Sequence, residues 1–232
     1  MLRSLVGSEM CIRDRFLVML SKRKKKYIKL TRRIRCWWYR MNLKNKTVTI
    51  LSNNCWGTFM YKYCNLEFNS PFIGLFVFAP DYIKLLEEPS LIYSDLCFIE
   101  RSRSKYLEFL DDKEYPIGLI ANDIEIHFIH YKDEDEAYAK WSRRVKRINW
   151  DNLIVKFCDR DQCTEDLIRR FDKLPYSHKV CFTAKEYPDI QSVCYLKEYK
   201  GDQFVDNCWL VSNSHWSFVK HANSILLGKN PH

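Results

Sequence analysis

The chain has 232 residues, 47% of them hydrophobic and 29% charged, a globular composition long enough to bury a sizeable core. With only 6 Gly and 7 Pro it is neither a low-complexity nor a collagen-like chain, and no apolar run approaches the ~20 residues of a membrane-spanning helix. The net charge of +9 is uneven: residues 1–15 carry +1, residues 16–46 carry +12 with no acidic side chain, and residues 47–232 carry −4. The positive charge is a tail on a mildly acidic body, which argues against a basic nucleic-acid-binding domain.

Ser4 to Arg15 resembles the frame translation of a transposase-type sequencing adapter, so residues 1–15 are set aside before fold reasoning. Met19 is then an alternative start. Phe16 to Leu20 is too short for the apolar region of a secretory signal, and the charges follow it instead of preceding it. From Lys22 to Arg40 the apolar residues Tyr27, Ile28, Leu30, Ile34, Trp37 and Trp38 recur at roughly helical spacing, with a basic opposite face. Such a helix suits an anionic membrane surface, and equally a solvated arm or a first helix docked on the domain.

Thr47 to Leu51 is a β-branched strand ending in the turn Ser52-Asn53-Asn54. Phe72 to Phe78 reads as a buried strand, Pro80 opens a helix through Leu86, and residues 90–112 read as mostly helical. Tyr115 to Ile120 and Asp123 to Tyr131 are expected strands. Asp133 to Ile148 is a helix with acids in its first turn and bases in its last turns, matching the macrodipole. Leu153 to Cys158 is a buried strand, Thr164 to Leu174 a helix, Lys179 to Thr183 and Ser192 to Tyr199 strands, and Asn213 to Leu227 a closing helix. Alternating strands and helices predict an α/β domain over 47–228, three layers (α/β/α) around a mostly parallel or mixed sheet, with 16–46 as a basic amphipathic tail. Nine cysteines outside 1–15 form no C-x-x-C pair and point to thiols in a reducing cytoplasm.

Four stretches can carry chemistry. Asn53, Asn54 and Cys55 follow the first strand, where open α/β sheets bind ligands. The asparagines can hold a ligand or the turn backbone, and Cys55 is a nucleophile if a His lies near, or else a packed thiol. In Glu125 to Tyr131, strand alternation puts Glu125, His127 and Tyr131 on one face and His130 on the other. His130 is the better candidate base, against a hydrogen-bonded core histidine. Asp159 and Asp161 flank Arg160 at a strand end, where two carboxylates can share Mn or Mg and hold a diphosphate, or where Asp161 caps the next helix. Arg143 and Arg144 can fork onto phosphate, or simply solvate a helix end.

Ile50-Leu-Ser-Asn-Asn-Cys-Trp-Gly57, Asn69-Ser-Pro-Phe-Ile-Gly-Leu-Phe76, Tyr115-Pro-Ile-Gly118, Ile126-His-Phe-Ile-His-Tyr131, Ala139-Lys-Trp-Ser-Arg-Arg144 and Asp159-Arg-Asp161 occur in this order. Together they resemble the domain-of-unknown-function family nineteen-nineteen, whose bacterial members are often labelled exopolysaccharide biosynthesis proteins. At 162 the resemblance places Gly, and this chain has Gln. It implies a three-layer α/β fold and a role in surface-polysaccharide assembly at or near the inner membrane face. The expected function is a group transferase using a nucleotide sugar or another polysaccharide intermediate. Asp159 and Asp161 would then hold metal, His130 or Cys55 would react, and Asn53, Asn54, Arg143 and Arg144 would bind substrate. The alternatives are an acyltransferase and a non-catalytic carbohydrate-binding or scaffold protein. Nucleic acid is not an expected partner.

Overall fold

The structure, a computed structural model, describes residues 33–228. The adapter-like segment and the first part of the basic tail lie outside them. Residues 33–42 are helical (α1) and dock by burying Tyr39 and, just beyond, Leu43.

Four strands form a wholly parallel sheet in the order β1-β5-β6-β7: β1 (Thr49–Ser52), β5 (Leu153–Cys158), β6 (Lys179–Thr183) and β7 (Val193–Tyr195). Thr49 pairs with Leu153, Val155 with Lys179 and Cys181 with Val193. Strand side chains alternate between faces. Ile50, Ile154, Cys158, Val180 and Phe182 therefore face one layer, where they meet Trp56, Trp209 and Phe218. These come from α2 (Trp56–Cys64), α6 (Cys208–His215) and α7 (Phe218–Ile225). Leu51, Val155, Phe157 and Cys181 face the other layer and meet Tyr82, Trp141 and Phe171. These belong to α3 (Ala79–Glu87), α4 (Glu134–Val145) and α5 (Glu165–Lys173). The expected three-layer α/β arrangement is what the chain adopts.

A second, antiparallel sheet runs β2 (Cys97–Ile99), β3 (Ile117–Ile120) and β4 (Ile124–His127), in that order. Helix ends follow ordinary capping chemistry. Asp133 accepts from Glu136 N at 2.9 Å at the start of α4, and Thr164 accepts from Leu167 N at 3.4 Å at the start of α5. Thr164, not Asp161, is therefore the cap of α5. No helix among the described residues is long and apolar enough to cross a membrane.

Five expected elements differ. Phe72 to Phe78 is not a strand, because its backbone partners come from two sheets instead of one neighbour. Residues 90–112 hold β2 and three short 3-10 turns, Pro89–Tyr93, Arg101–Arg103 and Leu107–Phe109. Pairing of β2 with β3 takes the backbone that a helix would need. The strand at 123–131 stops at His127, where Ile129 N turns back to the His127 carbonyl at 3.0 Å. The strand expected over 192–199 ends at Tyr195 and gives way to a 3-10 turn, Lys197–Tyr199. The closing helix begins earlier, at Cys208, and is split at Trp216-Ser217, with Ser217 capping α7 through Lys220 N.

Gly118 sits on β3 where an added Cβ would lie 2.6 Å from Leu96 Cδ1 and 2.8 Å from Phe128 Cε2. Gly118→Ala is expected to cost ~1–3 kcal/mol by overpacking, read by urea unfolding; an unchanged midpoint would mean that Leu96 gives way. Gln162 has φ 65°, in the left-handed region that favours glycine. Gln162→Gly is expected to stabilise by up to about 1 kcal/mol and Gln162→Val to destabilise by at least as much, in the same measurement.

Candidate functional site

The segment from Gly74 to Ala79 stitches the two sheets together, and the candidate residues hang along it. His130 N donates to the Gly74 carbonyl at 3.1 Å. Phe76 and His127 exchange both backbone bonds, at 3.0 and 2.9 Å. Val77 N donates to the Asn53 carbonyl at 2.9 Å, and Ala79 N to the Asp161 carbonyl at 2.8 Å. Cys55 Sγ lies 4.0 Å from the Leu75 carbonyl oxygen. Asn53, Asn54, Cys55, His130 and Asp161 thus line one seam, although more than a hundred residues separate the first from the last.

At the carboxyl end of β1 and β5 the seam holds a charged centre that strand periodicity alone does not reveal. Lys156 is 0% exposed and points to the same face as Ile154 and Cys158. Its Nζ donates to Asn54 Oδ1 at 2.8 Å and to Asn53 Oδ1 at 3.3 Å. Asn54 Nδ2 lies 3.1 Å from Cys158 Sγ, and burial pushes that thiol up. The two asparagines are therefore internal partners of a buried lysine. The signal that marks Lys156 is simple: it is the single ionisable group besides Cys158 in the strand Leu-Ile-Val-Lys-Phe-Cys.

Asp159 and Asp161 do not converge on a cation. Asp159 Oδ2 accepts from Ala184 N at 2.6 Å and its Oδ1 from Val205 N at 2.8 Å, so both oxygens clamp backbone. Burial pushes its pKa up against those bonds. Asp161 Oδ1 faces Arg160 Nε at 3.3 Å, and Arg160 Nη1 reaches Asp206 Oδ1 at 2.9 Å. Among the described residues no group of three or more His, Cys, Asp or Glu side chains is arranged to hold a metal ion. This donor set does not fit Mn or Mg shared by Asp159 and Asp161.

The other end of the seam is different in sign. His130 is half-buried beside Gly74, whose φ of 70° leaves a Cβ position 3.3 Å from His130 Cβ and 3.5 Å from Tyr131 Cε2. Burial, reinforced by Lys113 and Lys62, lowers the His130 pKa to about 4. Tyr131 Oη donates to the Ile73 carbonyl at 2.5 Å and accepts from Arg144 Nη1 at 2.7 Å. Lys140 Nζ stands 5.4 Å above the Tyr131 ring. Arg144 is 7% exposed and lies over the Phe68 ring, with no carboxylate within salt-bridge distance among the described residues. Arg143 is exposed, so the two arginines do not act as a fork.

Cys55 is buried and packs in the core as a small hydrophobe would. His127 is enclosed by Phe76, Phe78, Tyr106 and Tyr115, with Nε2 3.4 Å from Glu125 Oε2. Burial lowers its pKa, so it is a neutral packed ring. Because the chain turns after His127, Tyr131 leaves the Glu125–His127 face and joins His130.

The family model described as "Domain of unknown function (DUF1919)" matches residues 25–226. An "Uncharacterized protein" of Haemophilus influenzae (strain ATCC 51907 / DSM 11121 / KW20 / Rd) is 37% identical over 173 residues, which is 72% of this chain and 79% of the relative. The residues that build the seam all lie inside the matched range, and the chain belongs to the DUF1919 family.

Proposed function

We propose that the protein is a group transferase of surface-polysaccharide assembly that takes a diphosphate-bearing donor at the His130 end of the seam. The observation that carries this reading is the set of cations around His130 and Tyr131. Lys62, Lys113, Lys140 and Arg144 approach the pair from three segments, the last two from α4, on a body whose net charge is −4. Among the described residues, Glu136 pairs with Lys140 and Asp111 lies beside Lys113. A buried guanidinium without a carboxylate costs several kcal/mol, and an anionic ligand offsets that cost.

In the glycosyl case an acceptor hydroxyl gives its proton to the His130 imidazole, which is neutral at pH 7 and whose Nε2 has no hydrogen-bond partner among the described residues. The acceptor oxygen bonds the sugar carbon as the bond to the donor phosphate oxygen breaks. Arg144 and the lysines take up the charge left on the diphosphate. Acyl-coenzyme A carries a diphosphate that the same cations could hold, but there the thioester bond breaks and the thiolate leaves with the proton taken from the acceptor.

A second reading is favoured by a separate observation. A cleft of about 750 Å³ at the amino ends of β6 and β7 is lined by Tyr176, Lys179, Ser192, Cys194, Trp216 and His221. His221 stacks on Trp216 at 4.0 Å, and Ser192 Oγ is buried without a hydrogen-bond partner among the described residues. An aromatic platform flanked by polar side chains, with Asp172 and Lys179 among them, suits a saccharide, which is what a carbohydrate-binding protein would need.

Titration calorimetry of the full chain with UDP-glucose, acetyl-coenzyme A and pyrophosphate, without added metal, tests the transferase reading. Saturable binding is expected, weakened at least about tenfold in Arg144→Gln, partly restored in Arg144→Lys and unchanged in Arg143→Gln. The two organic donors separate sugar from acyl transfer. Absence of binding by all three, or an Arg144→Gln protein that binds as well as the parent, overturns it. Binding of an uncharged oligosaccharide alone, lost in Trp216→Ala, moves the function to the cleft.

The buried imidazoles also set a pH dependence. His130 and His221 both fall from 6.5 to about 4 in the folded chain. Between those values the unfolded chain binds protons that the folded chain does not, so stability is lost as pH falls from about 6.5 to 4. The more buried His130 contributes up to roughly 3 kcal/mol across that window, and the more exposed, solvent-screened His221 less. Urea unfolding at several pH values should show the slope, and His130→Gln should reduce it while leaving the His221 share.

A further inference from the structure

Helix α1 carries two apolar stripes on opposite sides. Tyr39 and Leu43, spaced i,i+4, enter the core with Cys36 beside them. Ile34, Trp37, Trp38 and Met41, spaced i,i+3,i+4,i+7, form a second stripe that points away from the protein, with Trp37 63% and Met41 67% exposed. A docked surface helix ordinarily turns a polar face to water. Here rotation is blocked, because the chain just after the helix is tied down. Lys44 N donates to Asn223 Oδ1 at 2.7 Å, Asn223 Nδ2 to the Asn42 carbonyl at 2.9 Å, and Asn45 Nδ2 to the Ala222 carbonyl at 2.8 Å.

At about 100° per residue, Arg33 and Arg40 border the outward stripe on one side and Arg35 on the other. Arg35 also reaches the carbonyl of Leu210, itself an exposed apolar residue on α6. The result is an apolar strip with two tryptophans and an arginine rim, on a segment of net +12 joined to a body of net −4.

We propose that the outward stripe of α1 docks the protein on an anionic lipid bilayer, independently of any donor bound at the seam. Tryptophan is favoured at the membrane interface, and the arginine stems lie along it with their heads at lipid phosphates. Twelve bases without an acid draw the segment to negative headgroups, and the acidic body keeps the rest of the molecule off the surface. Nucleic acid would match the charge but offers no apolar phase for Ile34 and Met41. A second copy would match the apolar strip but would bring two +12 segments together.

The test is vesicle co-sedimentation of the full chain, comparing phosphatidylcholine with phosphatidylcholine containing about 30% phosphatidylglycerol at physiological salt. Binding to the anionic vesicles and little to the neutral ones is expected. Trp37→Ser combined with Trp38→Ser should lower binding at least about tenfold while leaving the melting temperature and donor binding unchanged. Anionic-vesicle binding that survives the double substitution overturns the proposal, because charge alone would then explain it. So does equal binding to both vesicles, binding to neither, or a solution dimer that the double substitution dissolves.

Discussion

The backbone of residues 74–79 is the constraint on which the rest of the molecule depends. It belongs to neither sheet, yet it gives hydrogen bonds to both: two with His127 of β4, one to the carbonyl after β1 and one to the carbonyl of Asp161 after β5. Buried backbone groups must be paired. Pairing this segment therefore fixes the antiparallel sheet against the parallel one, and with it every side chain along the seam. Gly74 permits the approach at one end because a left-handed φ and the closeness of His130 and Tyr131 leave little room for a side chain.

The two ends of the seam solve the problem of buried charge differently. At the β5 end, Lys156 and Arg160 sit among Asp159, Asp161 and Asp206, with the Asn53 and Asn54 carbonyl oxygens completing the shell of Lys156. Charge is matched by charge and dipole, and Asp159 also ties β5 to the ends of distant segments through two amides. That is a locked network, costly to disturb because breaking one partner strands another. At the Gly74 end the cations outnumber their partners, and His130 remains neutral under their field.

The layers were legible in the sequence because the apolar runs Leu153–Cys158 and Lys179–Thr183 have the length and β-branched character of buried parallel strands, and Asp133 announces its helix by cap and charge gradient. α2 was not, because eight of its nine residues are buried and no polar face marks a period. Phe72 to Phe78 has a strand's composition, but composition does not say that its partners divide between two sheets. The places of Asn53, Asn54 and Asp161 at strand ends were legible, but not that one segment would bind both ends. The clamp made by Asp159 did not, because its donors, Ala184 and Val205, lie 25 and 46 residues away with no local signature.

Location of an anion site follows from where charge is left uncompensated. A diphosphate gains little at the β5 end, where each cation already faces acceptors and Lys156 is closed from solvent. It gains more beside Arg144, whose side chain hydrogen-bonds, among the described residues, to a neutral phenol that is itself held by the Ile73 carbonyl. A carboxylate placed there by the fold would have satisfied Arg144 permanently. Its absence among the described residues leaves a largely buried guanidinium without a carboxylate, and in a low-dielectric setting such a charge binds an anion that reaches it more strongly than an exposed lysine could. On the proposed reading the anionic donor is therefore expected beside Arg144, Tyr131 and His130, and not over the Asp-Arg-Asp turn to which strand-end position first pointed.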